Sequence, residues 1–398
     1  MAKNNFTCVD LFSGAGGLSC GLEQAGFNVL FASDINPVYS ETFQLNHPGT
    51  IFYTKDIKKL KGKDILTACK IKKGELDLLA GGPPCQGFSI NAPIRSLNDQ
   101  RNHLFKDFIR IAGELMPKVI LIENVPGIIS LGKGTVVKAI YQSLEKLGYR
   151  IKHQILFAGH YGVPQMRFRT VFFATRLDTD IIFPEPTHDA FAVANFTGAK
   201  ELCLTVPEHK KNKLKKQTSI WDAICDLPPI EAGSKNGAFP YIDNPNNDFL
   251  KFVRKNSKKV YNHSTNRLAP INLKRIQHIP QGGSWRDIPF ELLPSGLKRA
   301  RRSDHTKRYG RLHPNGLCST VLTKCDPHWG SFFHPFQDRT ISVREAARMQ
   351  SFPDNIVFTG SLTQQYEQVG NAVPVLLAEK LGQTAIKIIM SSRKSNDA

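Results

Sequence analysis

The sequence lacks a hydrophobic stretch long enough to cross a membrane. Its longest apolar runs, such as residues 119–122, are far shorter than the roughly 20 residues that a membrane-spanning helix needs. Residues 1–5 contain no apolar core of a secretion signal. The 398 residues are enough for one large globular domain plus a smaller one, and we expect a soluble, intracellular protein.

The eight cysteines are never spaced as Cys-x-x-Cys, which excludes a ribbon-type zinc site and a dithiol redox motif. One set of residues has to be considered as a metal site, namely His313, Cys318, Cys325 and His328. Its spacing fits no standard pattern of metal ligands. Ordinary buried thiols explain these cysteines better, and we predict no metal site.

Acidic residues are few: 53 Lys and Arg stand against 34 Asp and Glu, a net charge of +19. Such an excess favours a polyanionic partner, either nucleic acid or an anionic membrane surface. No basic amphipathic helix indicates a membrane, so nucleic acid is favoured. The excess is densest in residues 251–310, which hold 15 basic and 3 acidic residues. A merely solvated basic face is the alternative explanation.

In the first 175 residues, strand-like apolar runs alternate with amphipathic helical patterns. The runs are residues 7–12, 29–32, 76–80, 119–122, 154–158 and 170–174. This alternation predicts an α/β fold with a mostly parallel, doubly wound sheet covered on both faces. Ligands of such a sheet bind beyond the carboxyl ends of its strands.

Composition divides the chain into three segments. Residues 1–175 are the α/β domain, and residues 176–310, rich in Pro, Asn, Gly and Lys, predict a smaller, loop-rich second domain. Residues 311–398 return to helical patterns. Helices are predicted over residues 342–350, which open like a capping box, and over residues 374–390, which we expect to pack back on the first domain.

A glycine-rich turn follows the first strand. Gly14, Gly16 and Gly17 stand where the strand passes into a helix, and Asp34 ends the second strand, where nucleotide-binding folds place a carboxylate on ribose hydroxyls. The glycines are too closely spaced for the dinucleotide fingerprint. S-adenosylmethionine fits, because it has a ribose and no pyrophosphate. Glycines with a purely structural role in a turn are the alternative.

Two further strands end in reactive side chains. Cys85 follows the fourth strand behind Pro83 and Pro84, which fix its approach, so its thiol is a candidate nucleophile rather than a buried filler. Glu123 ends the next strand and brings a carboxyl group to the same edge of the sheet.

Five motifs occur in this order: Phe-x-Gly-x-Gly-Gly from Phe12, Pro-Pro-Cys-Gln from Pro83, Glu-Asn-Val from Glu123, Gln-x-Arg-x-Arg from Gln165, and Gly-Asn-Ala-Val-Pro from Gly370. Together they resemble the ordered motifs of DNA cytosine 5-methyltransferases of the bacterial restriction-modification type. The resemblance covers residues 6–175 and 311–385. Residues 176–310 match the family's variable target-recognition domain in position only.

The resemblance implies a Rossmann-like, S-adenosylmethionine-dependent methyltransferase that methylates carbon 5 of a flipped-out cytosine in a short sequence of double-stranded DNA. Cys85 would add to carbon 6, and Glu123 would hold the ring nitrogen 3 and the exocyclic amine. Arg167 and Arg169 would position the base and its sugar-phosphate. No residue in the sequence can be identified as the base that removes the carbon 5 proton.

The resemblance also implies ligand-binding residues. S-adenosylmethionine would contact Phe12, Gly14, Gly16, Gly17, Leu18, Asp34, Ile35, Asp56, Ile57, Pro83, Asn371 and Val373. Asp56 could equally lie in a surface turn. DNA would contact Gln86, Ser89, Lys251, Arg254, Lys258, Lys259, Arg267, Arg286, Arg301 and Arg302, and side chains of residues 281–286 would read base edges. A structural loop packed by Trp285 is the alternative for residues 281–286.

We therefore expect a cytoplasmic, nucleoid-associated monomer whose restriction endonuclease is a genetic partner rather than a bound subunit. The nearest alternative is methylation of transfer RNA, although the Cys-Phe-Thr marker of that branch is missing: Cys203 precedes Leu204, and Cys225 precedes Asp226. Two others are a DNA-binding protein with a dead active site and a cysteine hydrolase. Intact Cys85, Glu123 and the glycine loop argue against the first of these, and the second leaves the glycine loop and Asp34 unexplained.

Overall fold

A computed structural model describes residues 6–84, 104–191, 213–235, 237–304 and 307–396. The chain forms two compact units. The first unit contains residues 1–161, 168–215 and 373–398, and the second contains residues 162–167 and 216–372. In the described part of the chain, no helix has the length and apolar character needed to span a bilayer.

The first unit is built on a seven-stranded sheet. Its strands are β1 (Phe6–Leu11), β2 (Phe27–Ser33), β3 (Ile51–Tyr53), β4 (Leu78–Gly81), β5 (Val119–Asn124), β6 (Arg150–Phe157) and β8 (Phe168–Thr175). The spatial order is β3-β2-β1-β4-β5-β8-β6. All neighbours from β3 to β5 pair in parallel, whereas β8 runs antiparallel to both β5 and β6. The predicted mostly parallel α/β sheet is confirmed, with β8 as its reversed strand.

Helices cover this sheet. They are α1 (Gly17–Ala25), α2 (Pro37–Asn46), α3 (Gly62–Cys69), α4 (Leu104–Leu115), α5 (Thr135–Lys146) and α12 (Val375–Asn396), and a short strand β9 (His188–Asp189) lies outside the sheet. The chain leaves β1 toward β2 on one side, while β4 pairs with β1 on the other. A reversal of strand order opens a crevice at the carboxyl ends, where ligands of doubly wound sheets bind.

The C-terminal helix α12 packs against α1, as the sequence predicts. Gly21 of α1 lies so close to α12 that an added Cβ atom would stand 2.4 Å from the Cβ of Ala378. The apolar face of α12 is buried at Leu377, Leu381 and Ile388. Distant parts of the sequence therefore complete one hydrophobic core.

The second unit is smaller and richer in loops. Its elements are β7 (Gln165–Met166), α6 (Ile220–Ile224), α7 (Asp248–Arg254), α8 (Pro270–Ile276), α9 (Ser295–Lys298), β11 (Gly310–Arg311), β12 (Cys318–Ser319), β13 (Ser331–Phe333), α10 (Val343–Met349) and α11 (Leu362–Asn371). Strand β10 (Lys215–Lys216) lies at the junction. The unit also includes residues 311–372, which composition had grouped with the C-terminal return segment.

A buried ionic cluster sits at the start of α10. Ser342 caps this helix and forms the predicted capping box with Glu345. The Arg339 guanidinium donates two hydrogen bonds of 2.7 Å to the carboxylate of Glu345. Burial by itself raises the pKa of Glu345, but Arg339 outweighs burial and holds this pKa far below its usual range.

Candidate active site

The glycine loop between β1 and α1 has a conformation that requires glycine at two positions. Gly14 and Gly16 have φ angles of 56° and 89°, in the left-handed region. The N–H of Gly16 donates to the carbonyl of Ser13 at 3.0 Å, and Gly16 is the N-cap of α1. Gly17 and the buried Leu18 begin that helix. The loop thus exposes backbone, rather than side chains, beyond β1.

His47 packs against the glycine loop, and sequence reasoning missed it. A Cβ atom on Gly16 would stand 2.6 Å from Nε2 of His47. His47 Nδ1 is 2.9 Å from a carboxylate oxygen of Glu23, and the His47 ring is almost completely buried. No local sequence signal marks this contact, because 31 positions separate His47 from Gly16.

Asp34 joins the ends of β1 and β2. One of its carboxylate oxygens accepts the N–H of Gly14 at 3.0 Å, and the other accepts the N–H of Asn36 at 2.8 Å. Burial raises the pKa of Asp34, and these two hydrogen bonds oppose the rise. The next side chain, Ile35, is 66% exposed. A fixed carboxylate beside an exposed apolar side chain suits a ribose joined to a flat base.

Four other residues that are predicted to contact the cofactor lie in the first unit. Phe12 is half-buried in a left-handed conformation, Asp56 accepts the N–H of Lys58 as the cap of a short 3-10 helix, and Ile57 is buried at the start of that helix. Pro83 is buried, and its carbonyl accepts a hydrogen bond of 3.0 Å from the Asn124 amide. The Asp56 carboxylate therefore already has a structural role as the cap of this 3-10 helix.

Glu123 and Arg169 form an ion pair at the end of β5. The Arg169 Nε lies 2.5 Å from a Glu123 carboxylate oxygen, and each side chain is only 11% exposed. Burial lowers the pKa of Arg169, and Glu123 opposes that shift. A Cβ atom on Gly82 would approach the other Glu123 oxygen to 3.2 Å. Backbone beyond β4 thus lies directly beside the carboxylate.

A buried carboxyl group lies under the glycine loop. Asp10, next to last in β1, accepts a 2.6 Å hydrogen bond from the Ser19 hydroxyl, whereas its second oxygen has no partner among the described residues. Burial raises the pKa of Asp10 to about 7. Asp10 lies two residues before the first motif, and sequence reasoning did not predict its burial.

The predicted nucleophile Cys85 lies outside the described residues, as do Gln86 and Ser89. Their roles stay predictions. Asn371, at the end of α11, belongs to the second unit, whereas the buried Val373 belongs to the first unit with the glycine loop.

Arg167 belongs to the second unit and is 1% exposed. Its guanidinium donates hydrogen bonds to the carbonyl oxygens of Val321, Gly370 and Ala372 at 3.3, 3.0 and 3.0 Å. These bonds hold Arg167 inside the second unit, and its predicted role in positioning the base stays a prediction.

Most of the predicted DNA-binding cations are on the surface of the second unit. Exposed side chains are those of Lys251, Lys258, Lys259, Arg267, Arg301 and Arg302, and Arg286 is half-buried. Arg254 differs: it donates to Asp226 at 2.9 Å and to the Asp243 carbonyl at 2.6 Å, and it stacks 3.7 Å from the Tyr241 ring centroid. Its charge is therefore already paired within the unit.

The cysteines considered as metal ligands are buried. Burial raises the pKa of Cys318 to about 12 and raises that of Cys325 further, so both thiols are protonated at neutral pH. Over the described ranges, no group of three or more His, Cys, Asp or Glu side chains is arranged to hold a metal ion.

Comparison with known proteins places this geometry in a family. The family model described as C-5 cytosine-specific DNA methylase matches residues 6–387. Type II methyltransferase M1.HphI of Haemophilus parahaemolyticus is 32% identical over 388 residues, which cover 96% of this chain and 87% of that protein. Type II methyltransferase M.DdeI of Desulfomicrobium norvegicum is 34% identical over 394 residues, covering 94% and 87%.

A solved structure gives the same fold. It is described as a candidate DNA modification methyltransferase encoded within an E. coli prophage, and it superposes with a TM-score of 0.74 and 24% identity over 97% of this chain and 100% of that one. The fold is therefore that of S-adenosylmethionine-dependent methyltransferases. The chain belongs to the C-5 cytosine-specific DNA methylase family, and it is a DNA (cytosine-5-)-methyltransferase.

Proposed function

We propose that this enzyme transfers a methyl group from S-adenosylmethionine to carbon 5 of a flipped-out cytosine within a specific short sequence of double-stranded DNA. A transient covalent bond to Cys85 activates the base. The observation that carries the proposal is that one sheet of the first unit carries all three features: the glycine loop follows β1, Asp34 follows β2, and the Glu123–Arg169 pair lies at the end of β5 and the start of β8.

The residues of the first unit fit S-adenosylmethionine. Two backbone N–H groups hold the Asp34 carboxylate, whose oxygens have lone pairs left to accept ribose hydroxyls, and Ile35 offers an exposed apolar surface for the adenine. The loop from Gly14 to Gly17 has no side chains that would block close approach. When bound, S-adenosylmethionine supplies an electrophilic methyl group on a sulfonium.

Glu123 and Cys85 provide the activation of cytosine. Carbon 5 is a poor nucleophile until the Cys85 thiolate adds to carbon 6, which turns the ring into an enamine. Glu123 accepts a hydrogen bond from the exocyclic amine and favours protonation of ring nitrogen 3, and the N3–H then donates to its carboxylate, so that negative charge does not accumulate during the addition. Arg169 holds the Glu123 carboxylate in position for this bond. After methylation, loss of the carbon 5 proton expels the Cys85 thiolate by elimination and restores the aromatic ring.

The target must leave the helix, because a stacked cytosine cannot present carbon 6 to a thiol. The second unit supplies the grip on flanking DNA through exposed cations such as Lys251, Lys258 and Lys259, which suit phosphate contacts. We propose that this unit, including residues 216–310, is the target-recognition domain. Arg286, Arg301 and Arg302 belong to the same basic surface.

We further propose a biological setting. Two relatives that match most of the chain carry the name Type II methyltransferase, which suits the modification enzyme of a restriction-modification system. Such an enzyme acts as a monomer in the bacterial cytoplasm, and its endonuclease is a genetic partner. Methylation of the host's own recognition sites then prevents their cleavage.

The decisive experiment is expression in a host that lacks cytosine methylation, followed by base-resolution mapping of 5-methylcytosine. We expect methylation confined to one short motif and absent with Cys85→Ser. Duplexes that contain 5-fluorocytosine at the mapped position test the covalent step, since fluorine cannot leave as a proton does. The wild-type enzyme should stay bonded to such DNA in denaturant, and Cys85→Ser should not.

Transfer RNA is the substrate to compare. Labelled methyl transfer from S-adenosylmethionine should be stronger to duplex DNA that contains the mapped motif than to transfer RNA from the same host. The reverse order would overturn the proposed substrate. Retention of labelled S-adenosylmethionine by the free protein separates this function from that of a cysteine hydrolase or a binding protein with a dead active site.

A further inference from the structure

Trp329 in the second unit is an exposed aromatic side chain in polar surroundings. It is 64% exposed, whereas Trp285 in the same unit is 3% exposed and belongs to its hydrophobic core. The neighbouring His328 is also exposed, and its ring is held 2.7 Å from the Asp326 carboxylate. Packing of the described residues therefore gives no reason for a tryptophan at position 329.

The backbone holds Trp329 on a fixed support. The Trp329 N–H donates to the Asp326 carbonyl at 3.0 Å, and the Tyr309 N–H donates to the Pro327 carbonyl at 2.7 Å. Just beyond, β13 pairs with β11. The Ser331 hydroxyl also donates to the Lys307 carbonyl at 3.0 Å. These bonds place the turn that carries Trp329 beside residues 307–311.

The same bonds bring segments that carry cations next to the turn of Trp329. The Arg308 guanidinium lies 5.8 Å from the Trp329 ring centroid, and Lys307 is exposed. The Arg308 carbonyl accepts the N–H of Trp285, which brings Arg286 alongside. Arg302 then donates a 2.8 Å hydrogen bond to the Arg286 carbonyl. The Arg286 Nε is buried and has no hydrogen-bond partner in the part of the chain that the structure describes.

We propose that Arg286, Arg302, Lys307, Arg308 and Trp329 form one DNA-binding surface, on which the cations hold phosphates and the Trp329 indole packs against a nucleotide base. This inference rests on the proposed function, because it names the part of the second unit that grips the substrate. It adds Lys307 and Arg308 to the cations predicted from the sequence, and it adds Trp329 as an aromatic contact.

The chemistry of the surface favours DNA over a protein partner. The buried core of a protein interface is more apolar than the surrounding surface and is depleted in lysine. Here a single indole lies beside the Arg308 guanidinium, and backbone hydrogen bonds connect its turn to the segments that carry Lys307 and Arg286. Nucleic-acid surfaces use this combination of charge for the backbone and an aromatic face for the bases. Arginine beside an aromatic ring also stacks with bases.

Removal of the indole should lower DNA affinity without changing its salt dependence, whereas removal of a cation should change the salt dependence. Trp329→Ala should weaken binding of a labelled duplex that contains the mapped motif by about 5- to 100-fold, the range seen for loss of one base stack. The slope of log affinity against log salt should stay unchanged, because no charge is lost. Arg308→Gln should reduce that slope by about one. Trp329→Phe should retain most of the affinity.

Phe336→Ala is the matched control. Phe336 is another exposed aromatic residue of the second unit, 53% exposed and packed edge-on against Trp221. Its loss should leave DNA affinity within about twofold of the wild type. Unchanged thermal unfolding of each variant, and unchanged retention of S-adenosylmethionine by the first unit, would separate a lost contact from a lost fold.

Two outcomes would overturn the inference. One is a Trp329→Ala variant that binds DNA as the wild type does, and the other is an equal loss in Phe336→Ala. Failure of the proposed function looks different, since the wild-type enzyme itself would then neither methylate nor bind duplex DNA. Acrylamide quenching adds a direct readout: DNA should protect the fluorescence that disappears in Trp329→Phe.

Discussion

Arg169 reaches Glu123 from the neighbouring strand, with its Nε 2.5 Å from a carboxylate oxygen. Glu123 on β5 stands opposite Val171 on β8, so Arg169 is its diagonal neighbour on the same face. This contact exists because β8 runs antiparallel to β5 and begins where β5 ends. A parallel strand in that place would have put the start of β8 at the other edge of the sheet.

The first prediction concerns this ion pair. Arg169→Met should destabilise the protein by about 3 kcal/mol, because it leaves the nearly buried Glu123 charge without its partner. Adding Glu123→Gln should recover part of that loss. Urea unfolding of both single variants and the double variant gives the coupling free energy. Additive losses would mean that the two side chains do not interact in solution.

The second prediction distinguishes two glycines of one loop. Gly16→Ala should cost about 2 kcal/mol or more, because a left-handed φ and contact with His47 both oppose a side chain. Gly14→Ala meets nothing within 4 Å and should cost about 1 kcal/mol for its φ alone.

His47→Ala provides the control for the steric cause. In that background, the cost of Gly16→Ala should fall toward that of Gly14→Ala, with the Phe43 ring at 3.1 Å as its remaining close contact. Calorimetric titration with S-adenosylmethionine should follow the same order of losses. Equal effects of the two alanines in the wild-type background would contradict the close contact with His47.

The third prediction tests the cofactor surface at Ile35. Since Ile35 is 66% exposed, Ile35→Ala should leave the free energy of unfolding within about 0.5 kcal/mol of the wild type. Affinity for S-adenosylmethionine should fall about tenfold, because the variant loses apolar contact area with the adenine. The matched control is Ile51→Ala, an exposed isoleucine of β3 that is 43% exposed and is assigned no ligand. A tighter complex with Ile35→Ala would refute the adenine contact.

The fourth prediction is a pH dependence that His334 causes. Its Nδ1 accepts the N–H groups of Phe336 and Gln337 at 3.1 and 3.0 Å, so a proton on Nδ1 would break both bonds. Burial lowers the pKa of His334 to about 4, against the opposing effect of Glu345. Because the unfolded chain binds this proton first, the stabilisation is complete above about pH 6.5 and is lost as pH falls toward 4.

His334→Asn should retain an acceptor for one of those N–H groups but remove the titration. Between pH 7 and pH 4, the wild type should therefore lose about 3 kcal/mol more of its unfolding free energy than the variant does. Chemical denaturation at several pH values measures this difference. The comparison isolates His334, since burial also lowers the pKa of His153, His160 and His263 in both proteins. Parallel pH profiles would contradict the role of His334.

Local sequence determined most of the sheet and its loops. Apolar runs of four to six residues predicted the strands because burial on both faces of a parallel sheet demands them. The short β3 and the reversal of β8 carry no such signal. The capping box at Ser342 was equally readable, since the donor and acceptor that define it lie three residues apart.

The residues of the site also fall into those whose positions could be predicted from the sequence and those whose positions could not. The glycine loop and Asp34 follow strands and Glu123 lies at the end of one, so their positions at one edge were implied by the order of motifs along the chain. The burial of Arg167, the pairing of Arg254 with Asp226, and the contact of His47 with Gly16 were not implied. Each depends on groups that lie far apart in sequence.

Local sequence patterns and the ordered motifs were therefore enough to predict the family, the α/β sheet and the residue types that carry the chemistry. Tertiary structure alone decided which of the many arginines are paired inside the second unit and which, like Arg308 beside Trp329, stay on its surface. An arginine is the same letter in the sequence whether its charge is paired inside the unit or exposed on its surface. Only the neighbours brought by folding determine whether its charge is neutralised or is left for a ligand.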